Sequence, residues 1–267
     1  MGAIMPTIVF ASSKGGAGKS TSAVVLATEL ALSGSSVIVI DADPNKPVSD
    51  WARKSNKTEN LSVLTDTSEV ERLNARHEAK MLASGAHADG WTATITDVIE
   101  DAAQRATFVI VDLEGTANMK VSYAISRADL VVIPVKGSFL DAKEAAKAVA
   151  LVQAQERAFR LKIPFALLFT QTSSAIRPRT LKDVQNQVNN LGYPVFNVEI
   201  FERDVFRSIF SCGKTLYGLS ETEDCNPRAK EAAIINARTF AGEVLKRLKG
   251  LPFDDEEQDE QKQVKVA

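Results

Sequence analysis

The stretch TIVFASSKGGAGKST, residues 7–21, decides the fold class of this chain. Residues 7–11 form a short apolar run rich in β-branched side chains, and three glycines follow within residues 15–18. From residue 21 to residue 32, apolar side chains recur near helical spacing. This order predicts a strand, a glycine-rich loop and a helix.

Four further apolar runs predict more strands of the same sheet. They occupy residues 36–40, 108–111, 130–133 and 165–169. Such near-continuous runs are typical of strands buried on both faces of a parallel sheet. Helical patterns occupy residues 143–160, 179–191 and 228–248, and residues 68–105 hold helical pieces broken around Gly85 and Gly90. The alternation predicts an α/β fold, a mostly parallel sheet with helices on both faces.

Charge and composition bear on the domain organisation. The chain has 267 residues, of which 45% are hydrophobic and 25% charged, and its formal net charge is -2. The last 14 residues hold six acidic residues and two lysines, which leaves 30 basic and 28 acidic residues in the body. Because no composition shift divides that body, we predict one domain over residues 1–253 and an acidic disordered tail over residues 254–267.

The cysteines and the lack of long apolar segments bear on cellular location. Cys212 and Cys225 lack C-x-x-C spacing, which argues against a disulfide framework or a structural zinc site within one chain. No stretch approaches the roughly 20 apolar residues of a membrane span, and residues 1–12 lack the pattern of a secretory signal. We expect a cytoplasmic protein that is neither secreted nor membrane-spanning.

The glycine-rich loop has the chemistry of a phosphate-binding loop, which predicts a P-loop NTPase. Its glycines give the backbone the freedom to direct N–H groups inward. Lys19 is placed to reach the β and γ phosphates of ATP, and Ser20 to bring a hydroxyl to Mg²⁺. The residues expected to bind nucleotide are Gly15, Gly16, Ala17, Gly18, Lys19, Ser20 and Thr21. A glycine-rich turn with incidental lysines is the alternative, which the preceding strand and the Gly-Lys-Ser-Thr sequence disfavour.

The loop departs from the strict G-x-x-x-x-G-K-[ST] pattern at one position. Ser13 stands where the first glycine is expected, and Lys14 adds a second lysine. The sequence KGGAGKST, residues 14–21, resembles the deviant Walker A motif of the ParA/MinD family of ATPases, and the resemblance continues over nearly the whole folded body. It implies a homodimer that sandwiches ATP, in which Lys14 reaches the phosphates of the partner subunit.

Acidic residues lie at the ends of two predicted strands. Asp112 ends the run FVIVD and has the form of a Walker B carboxylate, which holds Mg²⁺. Asp41 and Asp43 follow the second strand, at the edge where open α/β sheets bind ligands, and strand alternation puts both on one side. The resemblance implies that Asp43 orients or activates the attacking water and that Asp41 lies near the metal. A helix N-cap and turn is a second interpretation of this segment, compatible with the first.

Two further segments carry less specific signals. Relatives place a base-contacting residue after the strand at residues 165–169, which would be Thr170 or Gln171, although either is also an ordinary polar residue at a strand end. The family often has Thr-Pro or Pro-Pro shortly after the Walker B aspartate, where this chain has Leu113-Glu114-Gly115-Thr116. Glu114 is either a second acid near the metal or an exposed loop acid.

A basic bias distinguishes residues 157–214. They contain nine basic and four acidic residues, which favours a DNA-binding surface over a set of solvated ion pairs. The best single candidates are Arg177, Arg179, Arg203 and Arg207. An anionic bilayer would repel the acidic tail, so we expect no membrane binding.

The leading interpretation is a small partition-type ATPase associated with the nucleoid. It would dimerise on ATP, bind double-stranded DNA without sequence preference, and be released when a ParB-like or other partner protein stimulates hydrolysis. Because the first strand begins at residue 7, we expect no N-terminal helix-turn-helix and no operator recognition. Residues 41–54 look closer to relatives associated with plasmid, conjugative or T-DNA transfer functions. The alternatives are an adaptor that recruits a DNA-processing complex to a transfer apparatus, and a metabolic P-loop enzyme.

Overall fold

The computed structural model describes residues 5–55, 58–85, 90–174, 177–220 and 226–250. Its strands are β1 (Thr7–Phe10), β2 (Val37–Ala42), β3 (Leu61–Thr65), β4 (Phe108–Leu113), β5 (Leu130–Val135), β6 (Phe165–Thr172) and β7 (Ile200–Phe201). Its helices are α1 (Lys19–Leu32), α2 (Pro47–Lys54), α3 (Asp66–Ala83), α4 (Ile95–Ala103), α5 (Met119–Ile125), α6 (Phe139–Phe159), α7 (Arg179–Asn190), α8 (Asp204–Cys212) and α9 (Pro227–Leu248).

The strands form one seven-stranded parallel sheet in the order β3, β2, β4, β1, β5, β6, β7. All five predicted strands are present, and four of them, β1, β2, β4 and β5, are buried along their whole length. The edge strands β3 and β7 were not predicted. The first is only partly buried and the second has two residues, so neither carries a buried apolar run in the sequence.

Helices cover both faces of the sheet, which confirms the predicted α/β architecture. One apolar core joins Ile8 and Phe10 of β1 to α1, α2, α8 and α9, and the other joins Val9 to α4, α5, α6 and α7. Alternate residues of β1 therefore serve opposite cores, as the pleat of a strand requires. This arrangement leaves the carboxyl ends of the central strands as the edge where a ligand can bind.

The predicted helices are confirmed, with bounds that differ by up to four residues. The segment predicted to be broken around Gly85 and Gly90 forms α3 and α4, and both glycines have a left-handed φ, 71° and 73°. One prediction was wrong in its bounds: Thr170 and Gln171 lie within β6 rather than after it. The strand continues because Thr170 and Thr172 pair with β7, a partner that the apolar pattern did not reveal.

Two predictions concern regions that the structure describes only in part. Cys212 is a free, half-buried thiol, whereas Cys225 and the acidic tail lie outside the described residues. Among the residues that are described, no helix combines the length and apolar character needed to cross a membrane.

Candidate functional site

The phosphate loop lies at the carboxyl end of β1, between β4 and β5 in the middle of the sheet. Gly16 and Gly18 have φ values of 73° and 88°, in the left-handed region that glycine adopts without strain. Helix α1 begins directly after Gly18, which has no side chain to cap it. Since the first N–H groups of a helix have no acceptor within the helix, this loop suits an anionic ligand.

The two lysines of the loop lie in different environments. The Lys19 residue is only 5% exposed, and its charge acts on Asp112 at the end of the neighbouring strand β4. Lys14 is exposed at the surface. This difference agrees with separate roles, one inside the site and one on its outer face.

Side chains from distant parts of the chain fasten the loop. The Ser13 hydroxyl donates to the carbonyl oxygen of Glu144 in α6 at 2.7 Å and also lies 2.8 Å from its carboxylate. The Thr170 hydroxyl donates to the carbonyl of Ala17 at 2.7 Å, and the Gln171 amide to that of Gly16 at 3.1 Å. The serine in place of the first glycine is thus an anchor to α6, which the sequence could not reveal because Glu144 is 131 residues away.

Two carboxylates face each other across neighbouring strands. Asp41 of β2 is aligned with Asp112 of β4, and both residues are 0% exposed. Oδ2 of Asp41 accepts the Ser49 N–H at 2.7 Å. Within the described residues, Oδ1 of Asp41 and both oxygens of Asp112 have no hydrogen-bond partner. Because buried polar atoms are nearly always satisfied, these three oxygens indicate a ligand site.

Burial controls the ionisation of these carboxyl groups. Burial raises the pKa of Asp112 to about 7, while the charge of Lys19 acts to lower it. The nearby charges of Asp41 and Asp43 contribute to this increase. Burial also raises the pKa of Asp41, against contacts with Ser49 and the charge of Lys46. A cation placed between Asp41 and Asp112 would therefore favour their charged forms.

The predicted metal-binding residues Ser20, Asp41 and Asp112 fit Mg²⁺ rather than a metal held only by protein. In the described part of the chain, no group of three or more His, Cys, Asp or Glu side chains could hold a metal. Mg²⁺ usually takes one or two carboxylates and completes its shell with water and phosphate oxygens. The unsatisfied oxygens of Asp112 and Asp41 match that requirement.

Asp43 lies in a turn directly after β2. Its Oδ1 accepts the backbone N–H of Asn45 at 2.8 Å and the Asn45 side-chain amide at 3.0 Å, and its carbonyl accepts the Lys46 N–H at 3.0 Å. The turn part of the second interpretation is therefore correct, but the N-cap part is wrong, because the N-cap of α2 is Lys46 rather than Asp41 or Asp43. The water-orienting role of Asp43 stays a prediction.

The loop after Asp112 packs on the phosphate loop. A Cβ atom on Gly115 would lie 2.8 Å from the Gly15 nitrogen and 2.9 Å from the Lys14 carbonyl carbon, too close for any side chain. Glu114 accepts hydrogen bonds from the Thr116 hydroxyl, at 2.8 Å, and from the Asn118 amide. The described contacts thus give Glu114 a role in shaping this loop.

A cavity of about 340 Å³ lies beside the phosphate loop. Gly18 and Thr21 border it on one side, Thr170 lies on β6, and Phe206 and Phe210 of α8 supply aromatic surface. Its size is within the usual range for small-molecule sites. Other cavities, of about 430 and 690 Å³, are lined in the described structure by residues outside the phosphate loop and its carboxylates.

The four arginines predicted to bind DNA lie around β6 and β7. Arg177 pairs with the buried Glu199 just before β7, and Arg179 begins α7 and is exposed. Arg203 lies 5.6 Å from the Phe201 ring centre, and Arg207 pairs with Glu202 and Asp204. Arg203 and Arg207 also border the cavity next to the phosphate loop. The ion pairs of Arg177 and Arg207 agree with the alternative interpretation of this region, and the DNA contacts of the four arginines stay a prediction.

The fold and this site define a P-loop NTPase whose phosphate loop carries a second lysine. Residues 6–162, more than half of the chain, match the family described as ATPase MipZ. Protein ParA from Rhizobium radiobacter is 36% identical over 244 residues, which cover 91% of this chain and 98% of that protein. The chain therefore belongs to the ParA/MinD family of ATPases, as the resemblance implied.

Solved structures agree with this fold. An ATP complex of a McdA variant from Cyanothece has a TM-score of 0.62 and 17% identity, and the match covers 94% of this chain and 99% of that one. The MinD cell division protein of Aquifex aeolicus has a TM-score of 0.58 and 20% identity, with coverage of 93% and 98%.

Proposed function

We propose that this chain is an ATPase that binds ATP with Mg²⁺ at the carboxyl edge of the sheet and uses it to partition or position DNA. The observation that carries the proposal is the buried Lys19, whose charge acts on Asp112, together with Asp41 and Asp112 on neighbouring strands, two buried carboxylates with unsatisfied oxygens. The ATP complex of the McdA variant supports ATP as the nucleotide, and the Protein ParA relative supports partition as the process.

Each residue of the site has a definite task in this proposal. The backbone of residues 15–20 and the Lys19 ammonium hold the phosphates, while Ser20, Asp112 and Asp41 hold Mg²⁺ directly or through water. When bound, Mg²⁺ supplies positive charge that offsets the phosphate charge. Asp43 orients the attacking water. Phosphoryl transfer depends on positioning and charge more than on covalent chemistry, so no protein nucleophile is needed.

The nucleobase occupies the cavity beside Gly18 in this proposal. The rings of Phe206 and Phe210 offer apolar surface to a flat base. Thr170 lines the same cavity, but its hydroxyl is already donated to Ala17. Thr170 therefore contacts the base through its carbon atoms and positions the loop through its oxygen.

ATP brings two copies of the chain together in this proposal. The exposed position of Lys14 on the outer face of the loop supports a contact with the phosphates of the partner subunit. The dimer doubles the number of DNA-phosphate contacts, so a surface too weak in one subunit becomes sufficient in two. The basic region at residues 157–214 supplies those contacts, and a ParB-like or other partner protein stimulates hydrolysis and release at the nucleoid.

Nucleotide binding is the first test. We expect Lys19→Ala to abolish binding of a fluorescent ATP analogue in the presence of Mg²⁺, because no other buried cation of the loop replaces its charge. Lys80→Ala, at the exposed end of α3, is the matched control and should bind like wild type. Unchanged affinity in Lys19→Ala would rule out the phosphate-loop assignment.

Oligomeric state with ATP is the second test. Asp43→Ala should bind ATP but hydrolyse it slowly, so it should elute as a persistent dimer. Lys14→Ala should elute mainly as a monomer because it loses the contact across the interface. If both variants behave like wild type in size-exclusion chromatography, the sandwich mechanism does not apply to this chain.

DNA binding is the third test. Mobility shifts on two unrelated duplexes should require ATP rather than ADP, weaken steeply with salt and be similar for both sequences. Replacing Arg177 and Arg179 with alanine should weaken binding, whereas replacing Arg76 and Lys80 of α3 should not. Arg177 and Arg179 test DNA binding more directly than Arg203 and Arg207, because the latter two border the nucleotide cavity. Binding that ignores the nucleotide, or that survives loss of all four arginines, would contradict the assignment.

A further inference from the structure

A buried carboxylate outside the nucleotide site binds two lysines at once. Asp66 begins α3, directly after β3, and is only 4% exposed. Its Oδ1 lies 2.5 Å from Nζ of Lys46, and its Oδ2 lies 2.8 Å from Nζ of Lys120. Burial raises the pKa of Asp66, but the hydrogen bonds and charges of Lys120 and Lys46 outweigh burial and hold it below its ordinary value. Asp66 is therefore a charged group with both oxygens satisfied.

The two lysines belong to the two segments that follow the buried carboxylates of the site. Lys46 closes the turn that begins at Asp43, and its Nζ also donates to the carbonyl of Asp41 at 3.1 Å. Lys120 lies in the first turn of α5, the helix that follows the loop after Asp112. A single carboxylate on α3 thus connects the segment after β2 to the segment after β4.

The backbone of Lys46 indicates that these contacts hold the turn in place. Lys46 has φ 50° and ψ 44°, a left-handed conformation that is uncommon for a residue with a side chain. Such conformations persist where the surroundings fix them, and they are frequent at functional sites. Here the Lys46 N–H bonds to Asp43, while Nζ bonds to Asp66 and to the carbonyl of Asp41.

We propose that Asp66 is a positioning residue for ATP hydrolysis, which holds the segments after Asp41 and Asp112 in register through Lys46 and Lys120. This inference rests on the proposed ATPase function. Asp66 itself touches neither the phosphate loop nor Asp43 in the described contacts. Its loss would leave two lysines close together without their shared counter-charge, so both segments would move relative to the phosphates. The expected effect is on turnover rather than on ATP binding, which depends on the phosphate loop.

Lys120 provides the most direct test, because its side chain is one-third exposed and its replacement leaves no large cavity in the core. We expect Lys120→Met to lower kcat about tenfold while KM and ATP affinity change less than about twofold. Lys120→Arg, which keeps the charge, should recover most of the lost turnover. Asp66→Asn should lower kcat at least as much. Arg127→Met is the matched control: it removes an ion pair with Glu100 just beyond the same helix and should keep wild-type turnover.

The outcomes separate the two proposals. If the wild-type protein hydrolyses ATP and Lys120→Met has the same kcat, the positioning role of Asp66 is overturned and the ATPase function stands. Failure of Lys120→Arg to recover turnover, with a melting temperature like that of wild type, would also overturn it. A wild-type protein that binds no ATP and releases no phosphate would overturn both. If Asp66→Asn does not fold, the two Lys120 variants still decide the question.

Discussion

Replacing Asp112 with asparagine should stabilise the nucleotide-free protein above pH 7 and abolish its Mg²⁺-dependent ATP turnover. Asparagine has nearly the same shape as aspartate but carries no charge, so the substitution removes the cost of a buried anion without opening a cavity. Asp112 is 0% exposed, and neither of its oxygens has a hydrogen-bond partner in the described residues. The same features that make it a good metal ligand make it unfavourable for folding.

The size of the effect follows from its pKa. The pKa of Asp112 is raised from 3.8 to about 7. At about 1.36 kcal/mol for each pKa unit, this difference corresponds to at most about 4 kcal/mol of destabilisation when the group is charged. Well below pH 3.8 the group is protonated in both states and the cost is absent. Stability is lost as pH rises from about 4 to about 7, because the unfolded chain releases the proton first.

Thermal unfolding at pH 5 and pH 8, without Mg²⁺ and nucleotide, tests this reasoning. At pH 8 we expect Asp112→Asn to be about 2–4 kcal/mol more stable than wild type, an increase in Tm of about 10 °C. The two proteins should be closer at pH 5. Asp183→Asn, on the exposed face of α7, makes the same chemical change and should alter stability by less than about 0.5 kcal/mol. An Asp112→Asn variant no more stable than wild type at pH 8 would refute the argument from burial.

Two other predictions concern the packing of the phosphate loop. Gly115→Ala should weaken ATP binding about tenfold or more, because its Cβ would lie 2.8 Å from the Gly15 nitrogen and a forced shift costs about 1–3 kcal/mol. Titration with a fluorescent ATP analogue measures the affinity. Gly242→Ala is the control, because its Cβ would meet no atom within 4 Å. Thr170→Val should lower the free energy of unfolding by about 1–3 kcal/mol in urea, because it removes the donor to the Ala17 carbonyl. Thr172→Val, where the buried hydroxyl has no hydrogen-bond partner within the described residues, should be neutral or stabilising; equal losses in both threonine variants would contradict the loop-anchor role.

The sequence predicts the centre of this molecule well because local and tertiary preferences agree there. Strands β1, β2, β4 and β5 are buried on both faces, so each appears as an apolar run, and the glycines of the phosphate loop lie where the backbone needs them. Asp41 and Asp112 were predicted from strand ends, and the alignment of β2 with β4 brings them together.

The contacts that hold the site in place could not be predicted in the same way. Glu144 anchors Ser13 across 131 residues, and nothing in the local sequence distinguishes it from a surface glutamate. The cluster around Asp66 likewise joins residues 20 and 54 positions away, counted to Lys46 and to Lys120. Long-range polar contacts depend on the final packing of helices, which hydrophobic periodicity does not specify.

Strands β3, β2 and β4 each lead to a carboxylate at the carboxyl edge of the sheet, and these carboxylates differ in how many of their oxygens have a partner. Asp66 directly follows Thr65, the last residue of β3, and Thr65 is aligned with Asp41 of β2. Asp41 is in turn aligned with Asp112 of β4, and Asp112 with Phe10 of β1. Within the described residues, Asp66 has both oxygens satisfied by lysines, Asp41 has one satisfied and Asp112 has none. The demand for an external cation therefore increases from the edge strand toward β1, whose carboxyl end carries the phosphate loop. This difference in satisfied oxygens supports a positioning role for Asp66 and a ligand-binding role for Asp112.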